Sequence, residues 1–131
     1  MDTQVLNPWT WQAPLGFVQG REVTGAERVL YAAGQASVDA DGKPVHEGDM
    51  RGQLTRSLDN LETVLAGARF GLADVVRLNY YTTDIDAFFE SYDTVTSRLA
   101  EAGARVSSTL LGITRLAQPE LLVEIEATAV A

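Results

Sequence analysis

Val75-Val76-Arg77-Leu78-Asn79-Tyr80-Tyr81-Thr82-Thr83-Asp84-Ile85-Asp86 decides the fold of this chain. Its first eight residues are rich in β-branched and aromatic side chains, which suit the half-buried surface of a strand. Thr83, Asp84 and Asp86 then offer oxygens that accept the free amides at the start of a helix. Phe88, Phe89, Tyr92, Val95, Leu99 and Ala102 follow at helical spacing, and Gly103 supplies a stop. Ser108-Thr109-Leu110-Leu111-Gly112-Ile113 reads as strand again. Strand, helix, strand requires a crossover and therefore at least one parallel pair.

Upstream, apolar residues fall at Met50, Leu54, Leu58, Leu61, Val64, Leu65 and Ala68, with Arg51, Arg56, Asp59 and Glu62 around the other side. This predicts an amphipathic helix of about five turns. Asp49 is placed to cap it, and Gly67 and Gly71 mark its end. Before it, Phe17-Val18-Gln19-Gly20 leads into Arg21-Glu22-Val23, and Arg28-Val29-Leu30-Tyr31-Ala32-Ala33 forms a further strand closed by Gly34-Gln35. Asp39-Ala40-Asp41-Gly42-Lys43-Pro44 reads as a loop or hairpin tip. The chain ends in Leu121 to Val130, a strand set off by a Gln118-Pro119-Glu120 turn. The order is two or three strands, helix, strand, helix, two strands, with antiparallel hairpins expected at both ends. An α+β domain follows, a mixed sheet with two helices on one face. No element remains for the other face, so self-association is expected.

The chain has 131 residues, one domain's worth, and 46% are hydrophobic, enough for a core. Ten basic against eighteen acidic residues give a net charge of −8, which opposes nucleic-acid phosphates and anionic membranes alike. There is no cysteine, so disulfides and thiolate chemistry are excluded, and one histidine, His46, makes neither a His-rich metal site nor a triad. The start of the chain has no basic and apolar leader, and no apolar run reaches the ~20 residues of a membrane span. A soluble, cytoplasmic protein is expected. No glycine-rich phosphate motif is present.

Gly16-Phe17-Val18-Gln19-Gly20, Ala33-Gly34-Gln35 with Asp39 downstream, Gln53-Leu54-Thr55-Arg56-Ser57-Leu58-Asp59-Asn60-Leu61, Arg115-Leu116 and Val123-Glu124-Ile125-Glu126-Ala127-Thr128-Ala129-Val130 occur in this order. Together they resemble the Rid (YjgF/YER057c/UK114) family, from about residue 15 to the end. The resemblance implies a chorismate-mutase-like α+β fold, a homotrimer, and clefts between neighbouring subunits. It also implies hydrolysis of reactive enamines and imines, such as 2-aminoacrylate, to keto acids and ammonia. Such chemistry asks for a cation to hold a carboxylate-bearing substrate and a group to orient water, and for no metal or cofactor.

Carried over residue by residue, the resemblance makes Glu124 the group that positions water and Gly34 a backbone contact to ligand. Phe17 stands where the family commonly has Tyr, keeping the apolar wall and losing the hydroxyl. The active deaminases carry an arginine at the start of the penultimate strand. Here that position falls on Ser108, or on Ser107 with the gap shifted, and the family's strand glutamate becomes Gly112. Arg105, two or three residues earlier, is the candidate for a displaced clamp; Arg77 and Arg115 compete with it.

Other readings rest on the residues alone. Glu124 and Glu126 share one sheet face, either as an acid/base pair with one pKa raised or as carboxylates paired with arginine. Ser107 and Ser108 lack a histidine to activate them and suit hydrogen bonding to a polar ligand or strand-start capping. Of Tyr80 and Tyr81 one is core and the other lines a cleft. Trp9 and Trp11 tack down the N-terminal segment or form a stacking platform, and His46 lies in an exposed loop. Two functions compete: a Rid-type hydrolase, and a non-catalytic metabolite-binding trimer that lacks the clamp. Endoribonuclease activity is disfavoured by charge.

Overall fold

The computed structural model describes residues 1–131. Its strands are β1 (Asp2–Leu6), β2 (Gly20–Thr24), β3 (Val29–Ala36), β4 (Val75–Thr82), β5 (Ser107–Gly112) and β6 (Val123–Val130). The helices are α1 (Met50–Gly67), α2 (Ile85–Glu90) and α3 (Asp93–Ala102). A four-stranded sheet runs in the order β3-β6-β4-β5, with β4 and β5 parallel and the other neighbours antiparallel. The helices cover one face, giving the α+β, chorismate-mutase-like architecture. No helix is long and apolar enough to cross a membrane.

The core lies between sheet and helices because two periodicities meet there. Leu54, Leu58, Leu61 and Leu65 of α1 are fully buried, against Leu78 of β4 and Val123, Ile125, Ala127 and Ala129 of β6. Each such leucine contributes about 1.5–3 kcal/mol by leaving water. As expected, Asp49 caps α1, accepting from the Gly52 amide at 2.9 Å. The helix ends differently: Gly67 is still helical, and Arg69, at φ 60°, makes the left-handed exit. Gly103 ends α3 in that conformation, as read.

Four expectations need correction. The hairpin expected at the N-terminal end, Arg21-Glu22-Val23 against residues 28–33, does not form: β2 pairs antiparallel with Asp2–Leu6 as a separate ribbon, and β3 pairs with β6. The second helix is two helices. Asp84 caps α2 by accepting from the Ala87 amide at 3.0 Å, but the chain breaks at Ser91-Tyr92. The break sets both Phe88 and Tyr92 against the buried Tyr80 ring, at centroid distances of 5.3 and 6.1 Å. Gly34-Gln35 does not close β3, which continues to Ala36 across a bulge between Ala32 and Gln35.

The fourth correction is the C-terminal hairpin. β6 does not fold back on β5 but enters the slot between β3 and β4. A strand buried along one whole face, as β6 is at Val123, Ile125, Ala127 and Ala129, belongs at a sheet's centre rather than its edge. The connecting loop is fixed where it passes the end of β4. The Leu122 carbonyl accepts from Thr82 Oγ1 at 2.8 Å and from the Thr83 amide at 3.1 Å. Leu116 and Leu121 bury themselves with Ala36 in a small second cluster.

Candidate functional site

The sheet face turned away from the helices carries a cluster of polar side chains from two neighbouring strands. From β6 come Glu124, Glu126 and Thr128, and from β4 Arg77, Asn79 and Tyr81. Tyr81 and Asn79 both donate to Glu126 Oε1, Asn79 at 3.0 Å. The Tyr81 and Asn79 bonds, with the Arg77 charge nearby, hold the Glu126 carboxyl below its usual pKa. The same bond pushes the Tyr81 phenol above its usual value. Of the glutamate pair, Glu126 is not a carboxyl with a raised pKa. Nor does either glutamate form an ion pair, since Arg77 donates instead to Thr109 Oγ1 at 2.6 Å.

Glu124 sits beside this cluster, on the residue that pairs with Tyr81. Its side chain lies across Gly34, in the space a Cβ at position 34 would take: that atom would be 2.8 Å from Glu124 Cγ and closer still to the carboxylate. Glycine is needed here for room. The bulge that brings Gly34 under Glu124 is held by α1. Asn60 Nδ2 donates to the carbonyls of Ala36 (2.9 Å) and Val38 (3.0 Å), and Arg56 Nε to that of Val38 at 3.2 Å. Gln53, fully buried, donates to the carbonyls of His46 (3.2 Å) and Glu120 (3.0 Å) and accepts from the Leu122 amide at 2.8 Å. The polar residues of α1 thus fix both segments that carry Gly34 and Glu124. The readable signal for these clamps is a glutamine falling on the helix's apolar stripe, between Met50 and Leu54.

The other sequence candidates lie elsewhere. Ser107 and Ser108 open β5, so the first two positions of that strand hold no arginine. Ser107 Oγ donates to the Val76 carbonyl at 3.0 Å, a strand-start bond. Ser107 pairs with Arg77 and Glu124 with Tyr81. Four residues along β4 is about 13 Å, and two strand spacings across add about 10 Å, so the two are far apart within one chain. Ser108 faces the helices, in a recess of about 240 Å³ walled by Trp11, Phe17, Tyr80, Phe88, Phe89 and other apolar side chains. Arg105 is exposed and borders a neighbouring depression of about 250 Å³, which also includes Phe17, Gln12 and Thr96. Its carbonyl accepts from Arg21. Arg115 donates to the carbonyls of Leu116 and Ala117 in its own loop, a structural use.

Tyr80 is core and Tyr81 lies on the open face, as their alternation implies. Trp9 and Trp11 are 60% and 63% exposed, so neither anchors the N-terminal segment by burial; Trp11 meets Phe17 edge-on at 6.1 Å. His46 is exposed, at a left-handed φ of 61°. No group of His, Asp and Glu side chains is clustered closely enough to hold a metal ion.

A family model described as Endoribonuclease L-PSP matches residues 12–131. The chain belongs to the Rid/L-PSP family. A Rid-family protein of unknown function from Yersinia pestis is 35% identical, each chain covered in full, with a TM-score of 0.86. A RutC family protein of Pyrococcus horikoshii is 28% identical over 92% of this chain and 94% of its own. Escherichia coli TdcF, whose structure holds bound serine, shares the fold at TM-score 0.71 and 24% identity, over 88% of this chain and 87% of its own. As a Rid protein, this chain places the candidate residues in two groups on opposite sides of one sheet: Glu124 and Gly34 on the open face, Phe17, Ser108 and Arg105 at the helix-side edge.

Proposed function

We propose that this Rid-family protein hydrolyses a small enamine or imine in clefts formed where the open face of one copy meets the helix-side edge of the next. The observation that carries this reading is the separation just described. Glu124 lies over Gly34, while Phe17, Ser108 and Arg105 are out of its reach in the same chain. Self-association also accounts for a sheet face that the chain's own helices leave uncovered, with Tyr31 79% exposed on it. A homotrimer is the assembly we infer.

In this reading an enamine first tautomerises to the imine. Glu124 accepts a proton from water as the water oxygen adds to the C=N carbon, and returns a proton to nitrogen. The resulting carbinolamine expels ammonia and leaves the carbonyl product, so one water is consumed per ammonia released. Phe17 walls the substrate, the Gly34 backbone contacts it, and Ser108 and Arg105 bind its polar, carboxylate-bearing end. The reaction needs no metal or cofactor.

The test is ammonia and keto-acid release from 2-aminoacrylate generated in situ, with Glu124→Gln and Arg105→Ala alongside. Turnover that collapses in Glu124→Gln supports the assignment; an equal rate removes Glu124 from the mechanism. A second reading, a non-catalytic metabolite-binding trimer, is favoured by one observation, the serines that open β5 where active deaminases have arginine. Saturable keto-acid binding without turnover selects it. Ribonuclease action is opposed by the −8 charge and by two carboxylates on the open face. RNA cleavage lost in Glu124→Gln would overturn that judgement.

A further inference from the structure

The Arg105 side chain has no partner in its own chain. Its guanidinium forms no ion pair and no hydrogen bond, while its backbone carbonyl is fixed by the Arg21 side chain. Phe17 lines two hollows, but Ser108 lines only the recess, and Arg105 only the adjoining depression of about 250 Å³. That depression lies between the N-terminal segment, residues 7–18, and the C-terminal half of α3. Both walls are pinned by the chain itself. The Tyr92 hydroxyl donates to the Leu15 carbonyl at 2.8 Å, and the Val18 amide donates to the Val106 carbonyl at 2.9 Å. Gly16, at φ 75°, brings the segment so close to α3 that a Cβ there would stand 2.9 Å from Thr96 Cγ2.

The polar groups that line this depression are left with donors to offer. Gln12 is 2% exposed; its Oε1 accepts from Gln19 Nε2 at 3.3 Å, and its Nε2, which keeps a surface open to solvent, donates to nothing in the chain. Asn7 is arranged in the same way, its Oδ1 accepting from the Gln19 amide at 2.9 Å and its Nδ2 without a partner. Gln19 thus occupies the acceptor of both amides and leaves both NH2 groups free. No carboxylate lines the depression, in a chain with eighteen acidic residues against ten basic. Val18, Leu99 and Ala104, all buried, supply an apolar lining. Free donors beside apolar side chains suit a small molecule with a carboxylate at one end and an apolar body at the other. A carboxylate offers a guanidinium two coplanar acceptors and keeps lone pairs for a carboxamide donor. A cavity of about 150 Å³ holds benzene, so there is room here for a body of about four to six carbons.

We propose that this depression is a second ligand site, complete within one chain, for a small apolar carboxylic acid. The carboxylate pairs with the Arg105 guanidinium and accepts from Gln12 Nε2, with Asn7 Nδ2 as a further donor, and the body packs on Leu99 and Val18. An acid bound here engages the cation that the substrate's own carboxylate needs. It therefore inhibits turnover without entering the cleft over Glu124. That consequence rests on the hydrolase reading; the binding site itself is independent of turnover.

The experiment titrates 3-methylbutanoate, its neutral amide 3-methylbutanamide and inorganic phosphate onto the full chain, followed by the side-chain NMR signals of Gln12 and Arg105. The carboxylate is expected to move both signals and to bind at least about tenfold tighter than the amide, with phosphate weaker than the carboxylate. Gln12→Met, close in volume, should weaken it about fivefold. Arg105→Gln, at an exposed position, should weaken it about tenfold and serves if Gln12→Met does not fold. In ammonia release from in-situ 2-aminoacrylate, Gln12→Met should leave the uninhibited rate unchanged and raise the inhibiting concentration of the acid about fivefold. Inhibition at one concentration in wild type and Gln12→Met, or signals that move at Gly34 and not at Gln12, would put the acid in the catalytic cleft and overturn the proposal. Equal affinity for acid and amide, tighter binding of phosphate, or no binding overturns it as well. Acid binding as expected, with no ammonia release by wild type, would leave the site standing and remove the hydrolase reading. Ammonia release without acid binding would do the reverse.

Discussion

Glu124 occupies the space that a side chain at Gly34 would need. A Cβ on residue 34 would overlap the Glu124 carboxylate and approach its Cγ to 2.8 Å. This makes the glycine a selector of one glutamate position. Gly34→Ala should therefore act through Glu124. The displaced group is an end of a flexible side chain, so the stability cost is modest, about 1 kcal/mol. Activity should fall nearly as far as in Glu124→Gln. Thermal unfolding and ammonia release, measured on the same preparations, separate the two effects.

Gln53→Leu tests the clamp behind that geometry. The substitution keeps the volume but strips partners from the carbonyls of His46 and Glu120 and from the amide of Leu122, around a fully buried side chain. Buried groups left unsatisfied cost about 1–3 kcal/mol each at most sites. A loss of about 2–4 kcal/mol in urea denaturation is expected. Asn60→Leu, which removes one of two donors from each of the Ala36 and Val38 carbonyls, should lose less stability and more activity.

The Tyr81–Glu126 bond predicts a pH signature. The Glu126 pKa is lower folded than unfolded, so its contribution to stability is present above the ordinary carboxylate range and disappears as pH falls through the folded value. Tyr81→Phe removes the principal cause of that lowering. Its carboxyl should titrate closer to the usual range by carbon-detected NMR. The stability gap between wild type and variant should be widest near neutrality and narrow in acid. A gap that widens in acid would contradict the assignment.

Asp84→Ala should cost about 1 kcal/mol through the lost cap on α2. The effect should reach the aromatic recess, because α2 places Phe88 and Phe89 there. A shift in tryptophan emission, alongside the fall in unfolding midpoint, checks this.

Much of this was legible in the chain, and the exceptions share a cause. Periodicity located α1 and β4 and the faces of Tyr80 and Tyr81, because burial against one neighbour imposes a repeat. The break at Ser91-Tyr92 was invisible, since Phe88 and Tyr92 keep helical spacing across it and only the Tyr80 ring requires the turn. The place of β6 was invisible for a related reason. Alternation tells which face of a strand is buried, not which strands lie beside it. At the site, the resemblance singled out Glu124 and Gly34 separately; their interlock appears only when the bulge sets one over the other. Gln53 and Asn60 read only as part of the family-like stretch; the position of Gln53 on the apolar stripe hints at a buried role, but the backbone groups that the two amides hold lie far along the chain, where no spacing rule reports them.

The central claim, that one site draws on two copies, is tested most directly by mixing. Glu124→Ala and Phe17→Ala chains, each inactive alone, are unfolded together in equal amounts, refolded and assayed for ammonia release from in-situ 2-aminoacrylate. Half the copies then offer an intact Glu124 and half an intact Phe17, so recovery of about a quarter of wild-type activity is expected for a site shared between copies. No recovery, from chains that do refold into mixed oligomers, would place both residues' roles within one chain and contradict the account.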